Sequence, residues 1–479
     1  MTSALSARGM GQAARPRVGS VATGRTTCGE FFPVHWVITT GRRTSMSKRL
    51  IWLSALLALI LVVAACSDSS DDTTTTAASG ETEETTTTAA DSGGTEETTT
   101  TATETTEAAE PLTFGMILVG PADDRGWSQA HREAGEYVEE KLGATMILLD
   151  KVNPADRPEL TVDQVARDMI EQGAQLVFMT SDDMKDGAFL AAEQFPDVPM
   201  IWSSGDNAWA EGQDYRPDLA NLGNVMGQME FGKMIAGCSA ALRTETGSIG
   251  YVGPLINDET RRLVNSAYLG AKYCWENVRG NNAADLTFAV NWIGFWFNIP
   301  GVTLDPTLVS NDFLDGGADI LISGIDTTEA LVVTGQRAAA GENVWAIPYD
   351  YVGACDGAPE ICLGTPWFNW GPAYLDIATS VSDGSFSSTF QWLPPDWTDL
   401  NNPDTTAIGY IEGPALSDDA TALNEFITGL SDGSINLWTG PLNNQDGSAW
   451  LADGETATPQ QIWYTKTLLE GIDGASEAS

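Results

Sequence analysis

The side chains that stand out for their chemistry are cysteines and carboxylates. Of the six cysteines, Cys28 lies upstream of an apolar segment and Cys66 closes it, which leaves Cys238, Cys274, Cys355 and Cys362 for the folded part. An even number in an exported chain reads as disulfides, and three pairings exist. The short loop from Cys355 to Cys362 makes Cys355–Cys362 the natural local bridge, which leaves Cys238–Cys274. Four buried free thiols are the competing reading. Zinc is disfavoured, because His131 is the only histidine of the folded part and no CxxC pair exists. The carboxylates are abundant: 66 Asp and Glu against 24 Lys and Arg, for a formal net charge of −42. With that many acids a glycosidase-like pair arises by chance. Two acidic sites carry more information. Ser181-Asp182-Asp183 and Gly324-Ile325-Asp326 each follow a predicted strand, where an acid serves either a ligand's donors or a helix N-cap.

Chemistry beyond binding finds little support. No Gly-x-Ser-x-Gly elbow, Walker loop or His-Glu-x-x-His helix is present, so no enzyme, cofactor or metal is expected. His131, within Ala130-His131-Arg132, reads as a helix-face histidine. Asn443-Asn444-Gln445-Asp446-Gly447 has a faint calcium-loop look that a turn explains as well. A surface this acidic repels nucleic acid and anionic lipid headgroups.

The chain around these residues divides by composition. Residues 1–45 are basic and without hydrophobic period, and read as a start-site artefact or a dispensable extension. Met46-Ser47-Lys48-Arg49, the apolar run Leu50–Val63 and the closing Val63-Ala64-Ala65-Cys66 are the three parts of a secretory signal over 46–65. The run is short of the roughly 20 residues a membrane helix needs. Its terminal cysteine resembles a bacterial lipobox, which implies a diacylglycerol on Cys66 and a lipid anchor in the cell membrane. An uncleaved anchor helix is the alternative, and either way the remainder lies on the extracytoplasmic face. Ser67–Glu110 contains only Thr, Glu, Asp, Ala, Ser and Gly, and repeats Thr-Glu-Glu-Thr-Thr-Thr-Thr-Ala at 82–89 and 95–102. It cannot form a core and reads as a disordered tether over 66–110.

From Pro111 strands and helices alternate. Strands are predicted at 112–119, 145–149, 175–179 and 199–202, with helices at 127–142, 162–172 and 184–195. After a helix at 227–242 with no obvious strand before it, strands recur at 248–252, 286–292, 320–323 and 344–347, with helices at 259–275, 306–314 and 327–340. This is the pattern of parallel sheets covered on both faces. Two runs of about four βα units predict two similar lobes, with an eight-unit barrel as the rival. The N-terminal lobe is expected over 111–225 with 351–385 returning to it, and the C-terminal lobe over 226–350 with 386–475 completing it and the hinge.

Several stretches resemble the basic membrane protein (BMP) family of ABC-transporter substrate-binding lipoproteins, which includes purine-nucleoside binders. They are Phe114–Pro121 with Asp124-Arg125-Gly126-Trp127-Ser128 and Gly135; Gly247–Gly253 with Gly270-Ala271; Val290–Gly294; and Trp438-Thr439-Gly440-Pro441-Leu442 with Asp446-Gly447 and Leu469–Gly474. The resemblance spans about 112–474. It implies an α/β fold of two Rossmann-like lobes, the type I periplasmic-binding-protein fold, with the ligand in the cleft between them. That agrees with the rule that ligands sit at the carboxyl ends of parallel strands. It also implies site residues. Trp127 stands for a phenylalanine that stacks on a planar ligand, Ser128 for an asparagine, and Asp124 shares their loop. Trp296 falls at a second stacking position, with Phe295 and Phe297 as neighbours able to serve instead. Asp350 resembles an acid that binds a sugar hydroxyl or ring nitrogen. Asp182 and Asp326 join this set from their strand ends. Nucleoside binders carry a lysine soon after the acid, whereas this chain has the aromatic stretch Gly364–Pro372, whose Trp367 and Trp370 would line the cleft or pack the hinge. The departure favours a neutral or more apolar planar ligand. The expected protein is a monomeric, non-enzymatic receptor that hands a small-molecule ligand to an ABC transporter permease. A ligand sensor serving a signalling receptor and a glycan-acting enzyme are the alternatives.

Overall fold

A computed structural model describes residues 111–478. The signal, Cys66, the tether and the segment before them lie outside the described residues. The first half of the described chain runs β1 (Thr113–Ile117), α1 (Trp127–Leu142), β2 (Thr145–Leu149), α2 (Val162–Glu171), β3 (Leu176–Met179), α3 (Lys185–Gln194), β4 (Met200–Ser203) and β5 (Leu222–Gly227). A long helix, α4 (Met229–Arg243), leads to β6 (Ser248–Gly253), α5 (Asp258–Tyr273), β7 (Thr287–Trp292), α6 (Pro306–Asp315), β8 (Ile320–Ser323), α7 (Glu329–Ala339) and β9 (Trp345–Ile347). There follow β10 (Gly364–Phe368), α8 (Gly371–Ser382), β11 (Phe390–Leu393), β12 (Ile408–Glu412), α9 (Ala420–Asp432), the hairpin β13 (Leu442–Asn443) and β14 (Ala449–Leu451), α10 (Pro459–Trp463) and β15 (Ile472–Asp473).

The strands make two parallel sheets, ordered β11-β5-β4-β3-β1-β2 and β15-β7-β6-β8-β9. Both centre on the same motif: the lobe's first strand lies between its second and third, with the fourth outside the third. Strand order therefore reverses beside β1 in one lobe and beside β6 in the other, and each reversal opens a crevice at the strands' carboxyl ends. The central strands are buried on both faces, so they read as unbroken apolar runs rather than alternating ones. Helix ends follow local chemistry. Thr161 and Gln164 form a reciprocal cap on α2, Asn257 and Thr260 do so on α5, and α1 stops where Gly143 turns left-handed at φ 65°.

Two features differ from the expectation drawn from the sequence. The stretch before α4 is a buried strand, β5, in register with β4 on one side and β11 on the other. Its sequence, LGNVMG, hides this. Asn224 sits inside a strand because its amide donates to Trp202 O and Asn207 Oδ1 and its Oδ1 accepts from Ala208 N. Gly227 lies where Ile408 crosses, so that a Cβ would fall 2.4 Å from the isoleucine Cδ1. In addition β11 belongs to the N-terminal sheet, not to the C-terminal lobe as the division at 386 assumes.

The chain crosses between lobes three times: from β5 into α4, from β9 through β10 towards α8, and from β11 through β12 towards α9. The antiparallel pair β10–β12 joins the last two crossings. Helices α4 and α5 pack closely because Gly237 and Gly270 face each other's backbone. A Cβ at either would lie within 2.0 Å of the other helix's carbonyl oxygen, Ala267 O and Met234 O respectively. The same seam carries the disulfide Cys238–Cys274, and the connection after β9 carries Cys355–Cys362. The sequence separations are 36 and 7. Loop-closure entropy assigns about 4 kcal/mol to the longer loop and about 2 kcal/mol to the shorter. Calorimetric unfolding should therefore show a larger drop in midpoint for Cys238→Ser/Cys274→Ser than for Cys355→Ser/Cys362→Ser. The reverse order would contradict the entropic assignment.

Candidate functional site

The two crevices face each other and enclose a slot. From the N-terminal lobe come Trp127 at the start of α1, Ser181 and Asp182 after β3, and Ser204 after β4. From the C-terminal lobe come Tyr251 on β6, Glu259 on α5, Trp296 after β7, Asp326 after β8 and Tyr349 after β9. About 420 Å³ of empty space separates them, yet the centre of a water molecule reaches only about 20 Å³ of it. The space is narrow. It shares Asp182, Ser204 and Glu259 with a polar chamber of about 770 Å³ of empty space, walled also by Asp206, Arg261 and Tyr464.

The two tryptophans are held by their N–H groups. Trp127 Nε1 donates to Thr180 O at 2.5 Å, and Trp296 Nε1 donates across the cleft to Asp183 Oδ2 at 3.1 Å. Each ring therefore has only its π faces and edges to offer a ligand. Trp127 is further braced by edge contacts with Phe368 and Trp370, both at 5.3 Å. Trp370 does not line the slot. It lies stacked between His131 (4.3 Å) and Phe368 (4.9 Å), where the crossing strand meets α1, so its place is in hinge packing behind Trp127.

Two other residues expected at the ligand are placed differently. Asp124 accepts from the backbone N–H groups of Gly126, Ser128 and Gln129 and so caps the start of α1. Burial pushes its carboxyl up to about 6 against the pull of those donors. It borders a separate groove with Thr327, Glu329 and Val332. Ser128 is fully buried, its Oγ accepting from Gly120 N at 3.0 Å. Asp124, Ser128 and Trp370 thus set the position of Trp127 without lining the slot. His131, expected on a helix face, is fully buried, and its Nδ1 meets Tyr374 OH at 2.7 Å.

The remaining acids converge. Asp182 lines the slot and accepts from Asn257 Nδ2 across the cleft at 3.3 Å. Asp326 is held well above the usual carboxylate range by burial, then by the charges of Asp350 and Asp124. Asp350 is wholly buried, and neither carboxyl oxygen has a hydrogen-bond partner among the described residues. Burial pushes its carboxyl well up, and Lys233 opposes that. Its backbone is left-handed, φ 70°, a conformation aspartate tolerates better than most residues. Its N–H donates to Pro366 O and its carbonyl accepts from Phe368 N, which fastens it to the crossing strand β10. Strained backbone of this kind clusters at functional sites.

The sequence showed no lysine just after Asp350, but the fold supplies one from elsewhere. Lys233, fully buried on α4, donates from Nζ to Ser323 O at 2.7 Å and lies 3.1 Å from the centroid of the Tyr349 ring. Burial drives its pKa well below the ordinary lysine value, and Asp350 counteracts this. The signal was present in the sequence: α4 is apolar nearly all round, so its Glu230 and Lys233 had to be buried with partners.

The lobes approach closely where Gly126 meets Asp326. A Cβ at Gly126 would lie 1.7 Å from the Asp326 carbonyl oxygen. Only glycine allows the Trp127 loop and the β8 end to touch.

Residues 112–291 match the model of the Bmp family, described as PnrA-like ABC transporter substrate-binding protein. Over that segment the chain is similar to this family. A purine-binding protein of Brucella abortus is 29% identical over 378 residues, 76% of this chain and 94% of its own length. A putative ABC transporter glucose-binding protein of Haloferax volcanii is 27% identical, covering 78% of this chain and 84% of its own. An ABC transporter solute-binding protein of Aeropyrum pernix superposes with a TM-score of 0.55 at 13% identity, over 68% of this chain and 93% of that one, which speaks to the fold. The chain is thus a substrate-binding protein of the ABC-transporter type. Such proteins work outside the cytoplasm, bind small ligands and deliver them to a permease. Among the described residues no helix is long and apolar enough to cross a membrane.

Proposed function

We propose that this protein captures a small planar solute, a nucleoside, nucleobase or related heterocycle, between its two lobes and delivers it to a membrane permease. In this reading Trp127 and Trp296 are the plates that meet the ring, and Asp182, Asp326 and Asp350 answer its polar edge. The diacylated Cys66 and the 67–110 tether hold the monomeric receptor at the outer face of the membrane. The observation that carries the reading is the narrow slot flanked by two indoles whose N–H groups are already bonded to protein. The purine-binding relative supports it.

The glucose-binding relative supplies the competing ligand class, since aromatic plates and carboxylates also suit a sugar. Calorimetric titration with adenosine, adenine, related heterocycles and glucose separates the two. A stacked face contributes about 1–3 kcal/mol, so Trp296→Leu should weaken binding of a planar ligand by roughly 5- to 100-fold. Trp127→Leu should do the same with an added loss of stability, because Trp127 also packs edge-on against Phe368 and Trp370. Binding of glucose alone would refute the planar reading. Turnover of a bound glycan would indicate an enzyme instead. Binding without stimulation of a cognate transporter's ATP hydrolysis would indicate a sensor.

A further inference from the structure

The slot's walls carry a charge bias that the planar-solute reading does not use. Four aromatic rings, Trp127, Tyr251, Trp296 and Tyr349, line it together with the carboxyls of Asp182, Glu259 and Asp326, and no lysine, arginine or histidine is among the lining residues. The neighbouring bases are engaged elsewhere. Lys233 is bonded to Ser323 O, Arg262 to Glu230 and to Trp463 O, and Lys185 is paired with Asp214 at 3.4 Å. Behind Tyr349, Asp350 adds a carboxyl with no partner for either oxygen among the described residues. The slot is therefore an aromatic enclosure whose charged wall groups are all acids.

We propose that the slot selects a heteroaromatic cation, a flat ring carrying a positive charge, over uncharged rings of the same shape. This rests on the reading that the slot takes a planar solute. The π faces of indole and phenol rings attract a cation, most strongly when water is excluded. A neutral ring would leave the buried wall acids with only the partial opposition of Arg262 and Lys233, and an anionic solute would be repelled.

The bias should depend on pH. Burial, with the charges of Asp182 and Glu230 opposed by Arg262, holds Glu259 at about 7. Burial and Asp183, opposed by Lys185, Asn257 and Arg262, hold Asp182 at about 6. After burial, Asp326 is raised further by Asp350, Asp124, Glu259 and Asp183, all of the same sign, and Asp350 and Glu259 also raise Tyr251 and Tyr349. Both values lie above those of free carboxyls. As pH falls below 6, Asp182 and Glu259 become largely protonated and the attraction fades. As pH rises through 6 to 8 they ionise, so affinity for a cation rises, and cation binding at neutral pH releases protons.

The test is calorimetric titration of the mature protein with two matched pairs at pH 7: 1-methylnicotinamide against its uncharged isostere 3-methylbenzamide, and 1-methyladenosine, cationic at this pH, against adenosine. The expected result is that the cation of each pair that binds is roughly tenfold tighter. Its advantage should shrink at pH 5 and in Glu259→Gln, with circular dichroism confirming that the variant is folded. Uncharged rings that bind as well as their cations would overturn the inference and leave the planar reading standing. A cation preference that persists in Glu259→Gln/Asp326→Asn would overturn the role given to the carboxyls. Failure of every planar probe, charged or not, would bring down the planar reading and the inference together.

Discussion

Gly126→Val is expected to leave the protein folded and to abolish ligand capture. Gly126 has φ −147° and ψ −135°, off the extended region, so valine adds a local backbone strain confined to the loop before α1. The obstacle lies in the other lobe, where the Asp326 carbonyl oxygen would sit 1.7 Å from the new Cβ. The lobes must separate to relieve that overlap, and separation pulls Trp127 and Asp182 away from Trp296, Asp326 and Tyr349. Overpacking of this kind costs up to about 3 kcal/mol. Charged against the closed state alone, that reduces apparent affinity by roughly 100-fold. Small-angle scattering should report a more open particle and calorimetry the lost binding, with an unfolding midpoint close to that of the parent. A variant that binds normally would mean that the ligand does not require the closed contact.

Glu230→Ala is expected to be the most destabilising single change. Glu230 on α4 and Arg262 on α5 are 3% and 2% exposed, and the guanidinium Nε donates to the carboxylate. Arg262 also donates to Trp463 O at 3.2 Å and lies over the Trp463 ring at 4.4 Å, which links the C-terminal lobe to the aromatic group of Trp209, Phe390 and Trp392 in the other. Truncating the acid leaves a buried guanidinium without its counter-charge, at a cost of about 3–5 kcal/mol. Glu230→Met/Arg262→Met should recover much of this, because it removes both desolvated charges. Denaturant titration of the three variants tests it. A double variant as unstable as the single one would show that packing, not charge, dominates the site.

The repeated βα pattern was legible because buried parallel strands are unbroken apolar runs and the helices between them are amphipathic and capped. The prediction for α1 coincides with the observed helix, Trp127–Leu142. What was not legible depends on partners distant in sequence. Nothing local marks LGNVMG as a strand, since its asparagine is satisfied by Trp202, Asn207 and Ala208 and its last glycine by a strand 180 residues later. β11 could not be assigned to a lobe from its own four residues, because its partner is β5. At the site, the strand-end positions that line the slot are legible in the sequence, but the division of labour among them is not. Asp124 and Trp370 look as able to bind as Trp127 until the cap on α1 and the stack on His131 are seen. Lys233 is unmarked in the sequence because the family pattern places a lysine after Asp350, whereas space admits a lysine from any helix that reaches the site.

The most direct measurement is mass spectrometry of the small molecules released when protein, purified under native conditions from cells that make it, is denatured. A clamp closed on a planar ring should release one heteroaromatic compound at about one per chain, and that compound should rebind the emptied protein but bind Trp296→Leu more weakly. Release of a sugar, a peptide or a lipid in that amount, rebinding equally to both proteins, would contradict it.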